Sequence, residues 1–98
     1  MKLYLILLEI DIEKDYKRLI NAIEAFERHT YVANSTWIVS SSLSAKDLRN
    51  YLQEYLDGRD NIFVSEINSN AAWRLDRKKG DWLIENSLLE GLTTRMSA

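Results

Sequence analysis

The acidic run Glu9, Asp11, Glu13 and Asp15 is the first place where this sequence could do chemistry, because clustered carboxylate oxygens suit Mg²⁺ or Mn²⁺. Spacing limits the idea. Glu9 and Asp11 lie two apart at the end of an apolar run and share a face if that run is a strand, whereas Glu13 and Asp15 fall in the first turn of a following helix. The competing reading makes Asp11 the N-cap of that helix, with Glu13 and Asp15 complementing its positive end. Arg74, Arg77, Lys78 and Lys79 form the basic cluster of the chain, and with Trp73 and Trp82 nearby it could grip a phosphate backbone while an aromatic stacks on a base. Asp76 and Asp81 partly neutralise it, so a solvated loop flanked by core tryptophans stands as the alternative. His29, the sole histidine, is placed at the end of the first helix, where its ring suits the negative pole; catalysis would need a nucleophile that its neighbours do not supply. Ser35, Ser40, Ser41, Ser42 and Ser44 are strand-end and cap residues, since none has the flanking glycines of a nucleophile elbow.

Bulk composition narrows the classes of partner. Thirteen Lys and Arg against fifteen Asp and Glu leave a formal charge of -2, so a nucleic-acid role would depend on a local basic patch. The absence of cysteine removes disulfides, thiolate nucleophiles and thiolate metal sites. With 98 residues, no proline and 46% apolar content, the chain has the makings of one folded domain over residues 1–92, with 93–98 as a frayed tail. The apolar stretch Leu3 to Leu8 is too short for a bilayer span or a secretory leader, which implies a cytoplasmic protein with no membrane partner.

The elements that must carry these residues can be read from periodicity. Leu3-Tyr4-Leu5-Ile6-Leu7-Leu8 is apolar at successive positions, so both faces of that strand need covering. From Glu13 to Arg28, Tyr16, Leu19, Ile20, Ile23 and Phe26 recur at three- and four-residue steps, as in an amphipathic helix. Tyr31 to Ala33 and Thr36 to Ser41 are strand-like, and Asn34-Ser35 between them suits a turn or bulge. Ser44 to Asp47 resembles a capping box opening a helix with Leu48, Leu52, Tyr55 and Leu56 on its buried stripe and Gly58 beyond its end. Ile62 to Ile67 reads as a strand and Ala71 to Leu75 as a short edge strand. After the charged loop Asp76 to Lys79, Asp81 can cap a last short helix with Trp82, Leu83, Leu88 and Leu89, ended by Gly91.

This order predicts an α+β fold of the ferredoxin-like kind, βαββαβ, an antiparallel sheet with two helices on one face plus an extra C-terminal strand and short helix. Helices on one side leave the other face of the Leu3–Leu8 strand bare, and a second copy of the chain is the simplest cover. Leu3, Leu5, Leu7, Trp37 and Trp73 are the expected residues of that homodimer interface.

Ile10-Asp11-Ile12 ending the first strand, Asp15-Tyr16 opening a helix that continues Leu19-Ile20-Asn21-Ala22-Ile23, the Ser35-Thr36-Trp37-Ile38-Val39 strand, Ser44-Ala45 with Leu48, Phe63-Val64 and the late Trp82-Leu83 together resemble the CRISPR-associated protein two superfamily, the small adaptation-complex subunit, and more closely its SinR-like relatives. The resemblance covers nearly the whole chain. It implies a homodimer with facing sheets, Ala71 to Leu75 being the strand exchanged between subunits. With it the chain reads as a binding or scaffolding protein of microbial or phage defence, taking a protein or nucleic-acid partner, and the capping role open to Asp11 favours that reading over catalysis. Some members of that superfamily are metal-dependent nucleases, and the matching Asp11 would then be catalytic and hold Mg²⁺ or Mn²⁺ at the dimer axis; otherwise no cofactor is expected. Two departures weigh against the nuclease: Ile10 replaces the tyrosine that precedes the family's aspartate, and acidic residues dilute the basic ones.

Overall fold

The computed structural model describes residues 1–11, 15–68 and 70–86. In chain order the elements are β1 (Lys2–Glu9), α1 (Lys17–Glu24), β2 (His29–Ala33), β3 (Thr36–Ser41), α2 (Ala45–Gln53), β4 (Asn61–Glu66) and α3 (Arg77–Asn86). The strands form one antiparallel sheet in the order β2-β3-β1-β4, so the fold is α+β.

Strand β1 is the hub because it is apolar on both faces and pairs on both edges. Tyr4, Ile6 and Leu8 point to one side, where they join Trp37 and Val39 of β3 under Leu19, Ala22 and Ile23 of α1 and Leu48 and Leu52 of α2. The buried Tyr4 hydroxyl donates to the Leu43 carbonyl at 2.6 Å, which satisfies its polar end. On the second side Leu3 and Ile38 pack with Leu83 of α3, ringed by Val32, Ile67, Trp73, Leu75 and Trp82. Part of the cover expected from another subunit therefore comes from this chain's own Ile67, Trp73, Leu75, Trp82 and Leu83.

Local chemistry explains the boundaries. Asn34 and Ser35 both have positive φ, 50° and 60°, the pattern of a two-residue type I′ turn, and a bulge between Tyr31 and Ala33 accompanies it. Ser44 Oγ accepts the Asp47 N–H at 3.0 Å and so caps α2 as its sequence suggests.

Four expectations are corrected. α1 spans Lys17–Glu24, shorter than the expected Glu13 to Arg28, and Asp15 rather than Asp11 serves its first turn, accepting the Lys17 N–H at 2.9 Å. His29 is not a helix-terminal residue; it opens β2 opposite Val39. Ala71 to Leu75 is not a strand, because Trp73 and Leu75 are drawn onto the second face of the sheet. The stretch Asp76 to Lys79 is not a loop: Asp76 Oδ1 accepts the Lys79 N–H at 2.9 Å, so Asp76 caps α3 and Asp81 lies inside it. Glu13, Leu88, Leu89, Gly91 and the tail 93–98 lie outside the described residues. Among the described residues no helix is long and apolar enough to cross a membrane.

Candidate functional site

Asp11 is exposed just beyond the end of β1. Its surroundings are acidic, yet the carboxylates nearby have structural work. Tyr16 donates its hydroxyl to Asp60 Oδ1 at 2.7 Å, and Asp60 Oδ2 accepts the Asp57 N–H at 2.9 Å, which ties the turn before β4 to the start of α1. The hydrogen bond to the Asp60 carboxylate, followed by partial desolvation, raises the Tyr16 hydroxyl above its ordinary value. Glu9 Oε1 accepts from Asn61 Nδ2 at 2.6 Å across the β1–β4 pair. Among the described residues no group of three or more His, Asp or Glu side chains is placed to hold a metal ion.

The four basic residues do not form one patch of equivalent charges. Lys79 is the most buried of the two ion-paired ones: its Nζ donates to the Val32 carbonyl at 2.7 Å and lies 3.5 Å from Asp76 Oδ2. Val32 sits at the β2 bulge, so this lysine fastens α3 to an outer edge of the sheet. Arg77 lies 3.9 Å from Asp81 as an exposed pair within α3, and Arg74 and Lys78 are exposed. Hydrogen bonds from Lys79 and its attraction hold the Asp76 carboxyl below its ordinary value. Trp73 and Trp82 belong to the second-face cluster, which leaves them half-buried beside the basic residues.

The five expected interface residues also part company. Trp37 is 6% exposed and lies on the helix-covered face, because strand alternation aligns it with Ile6 rather than with Leu5. Leu3 is buried against this chain's own Leu83, and Trp73 packs over the same spot. Leu5 is half-buried, and Leu7 is 44% exposed. Directly across the β1–β4 ladder from Leu7 stands Phe63, 59% exposed. Leu7 and Phe63 therefore make a bare apolar step at one end of a face whose other end is closed.

Phe63 is not among the expected interface residues, although its signal is present: Ile62-Phe63-Val64 is apolar at three successive positions, so one of the three must face away from the helices. His29 Nδ1 lies 2.9 Å from the Phe26 carbonyl and its ring is 6.4 Å from that of Trp37, an arrangement that positions the turn after α1. Compared with protein-family models, with curated proteins and with solved structures, the chain matches none.

Proposed function

We propose that this chain is a ferredoxin-like module that pairs with a second copy of itself and serves as a binding or scaffolding protein rather than an enzyme. The carrying observation is the Leu7–Phe63 step, two large apolar side chains left in water side by side on adjacent strands. The element order up to β4 and the sheet order β2-β3-β1-β4 support the ferredoxin-like reading. The resemblance to the CRISPR-associated protein two superfamily supplies the setting of microbial or phage defence.

Because Ile67, Trp73, Leu75, Trp82 and Leu83 already occupy the Leu3 end, the self-association surface is confined to Leu5, Leu7 and Phe63 with their polar surroundings. A patch of that size falls short of the roughly 800 Å² per partner of a standard stable interface, so the dimer is weak and concentration-dependent. Sedimentation equilibrium across a hundredfold range of concentration tests it. The wild type shifts from monomer to dimer over that range, and a Leu7→Ser, Phe63→Ser double variant stays monomeric. A wild type that is monomeric throughout removes the reading.

A second reading rests on Asp11, exposed at the end of the central strand. It makes the dimer a metal-dependent endonuclease acting on RNA or DNA. Cleavage in Mg²⁺ or Mn²⁺ that Asp11→Ala abolishes, with the monomer–dimer balance unchanged, would favour it over scaffolding.

A further inference from the structure

The sheet has two outer edges, and the chain treats them differently. At β2 the bulge and the Lys79 ammonium on the Val32 carbonyl obstruct any strand that would pair there. Strand β4 has none of these devices: its six residues Asn61–Glu66 run in unbroken register with β1 and include no proline and no lysine. Among the described residues no strand pairs with its outer side. Alongside that edge runs a groove of about 260 Å³ lined by Ile62, Phe63 and Val64 of β4 and by Ala45, Lys46 and Arg49 of α2. Its lining is apolar below and cationic above, with no carboxylate in it.

From this asymmetry we propose that the outer edge of β4 is a docking site for an extended, acidic peptide segment of another protein. The segment adds as a strand to β4, its backbone N–H and C=O groups meeting the outward groups of Asn61–Glu66. Alternate side chains fall on the Ile62 and Val64 side, where acidic ones reach Lys46 and Arg49. A second β4 is a poor occupant, since the paired edges would bring two sets of Lys46 and Arg49 to one seam, and like charges there oppose it. The proposal deepens the scaffolding reading by naming the class of partner, and it uses the edge of the sheet rather than the open face on which that reading places the dimer.

The probe is a blocked hexapeptide alternating glutamate and valine, compared with its lysine–valine counterpart, added to the full chain at low salt. Backbone amide shifts and hydrogen exchange are recorded by NMR. The acidic peptide is expected to protect alternate amides of β4 and to shift Lys46 and Arg49, with the β2 amides unchanged. A Lys46→Glu, Arg49→Glu variant should bind the acidic peptide about tenfold more weakly and prefer the lysine peptide, as two exposed charge contacts allow. Running the same titration on a Leu7→Ser variant, whose changed residue lies outside the groove, separates the two ideas. Retained binding by that variant, when monomeric, leaves the edge standing whether or not the dimer does. Absence of β4 protection in the wild type, equal binding of both peptides, or outward β4 amides already protected before peptide is added each overturns the proposal.

Discussion

The two faces of one sheet are built from the same strands and end in different states. Toward α1 and α2, Ile6, Ile23, Val39, Leu48 and Leu52 are all sealed, each contributed by a different element or a different turn. On the opposite face burial is graded, from Leu3 and Ile38 closed beneath Leu83 to Leu7 and Phe63 in water. Two amphipathic helices with regular stripes cover a face evenly. Ile67, Trp73 and Leu75, followed by α3, cover only the part they can reach, because α3 is anchored at the β2 edge by Lys79. A sheet can therefore have a finished core and an unfinished interface on the two sides of the same β-strand.

The sharpest way to break this comparison is to empty one site on each face. Leu52→Ala, at a position with no exposure in the helical core, is expected to lower unfolding stability by about 3 kcal/mol, read as a shifted denaturation midpoint at unchanged slope. Leu83→Ala should cost less, about 2 kcal/mol, because the thinner second-face cluster can collapse around the lost side chain. Hydrogen exchange separates their character. The first variant weakens protection throughout the sheet, whereas the second loosens α3 and leaves the β1–β3 and β1–β4 ladders protected. Equal, global losses would mean that the two faces form one cooperative core and that the contrast is only one of exposure.

How far the sequence foretold this depends on the element. β1, β3 and α2 were legible because each carries a strong local signal: the unbroken apolar run from Leu3, the β-branched and aromatic stretch from Thr36, and the cap at Ser44. Trp37 was misplaced because its face is fixed by register, Ile6 opposite Trp37, and register is a property of two strands that neither reveals alone. The 71–75 stretch was misread as a strand because its residues have strand-like character, while the pull on Trp73 and Leu75 comes from a hydrophobic cluster distant in sequence. Asp76 and Asp81 are both plausible caps by type, and only the Lys79 N–H on Asp76 decides between them. Of the candidate sites, the basic cluster was legible as composition and not as function, since nothing local foretells that Lys79 would be spent on a carbonyl of β2.

Acid offers a gentler test of the same contrast. The Asp76 carboxyl is held below its ordinary value, first by the Lys79 backbone N–H and further by the Lys79 charge. A depressed folded value means that the ionised carboxylate stabilises the folded state at all pH values above 3.8 and that this contribution is lost as pH falls through the lowered value. Since Asp76 caps α3, the loss should be felt first at the second face. Tryptophan emission, in which Trp73 and Trp82 report that face and Trp37 the helical core, is expected to change in part before far-ultraviolet ellipticity does as the pH falls below about 4. Asp76→Asn keeps an acceptor at the cap without a titrating proton, so it should flatten that early emission change. Coincident transitions in the wild type, or an identical acid profile in the variant, would show that α3 is not released separately from the helical core.

The smallest expected effect falls on the bare end of the second face. Phe63→Thr puts a strand-favouring, β-branched residue in β4 and removes a ring that is 59% exposed, so in dilute solution it should move unfolding stability by no more than about 0.5 kcal/mol. A residue that contributes so little to the monomer has its use elsewhere, and concentration reveals it. If Phe63 is covered by a second copy, mass action raises the melting temperature of the wild type as protein concentration rises, because only folded chains associate. The Phe63→Thr chain should melt at one temperature whatever its concentration. A wild type that is equally indifferent to concentration would mean that the open end of the sheet is an ordinary exposed surface, and a variant that loses several kcal/mol as a monomer would mean that Phe63 is packed and the two faces are alike after all.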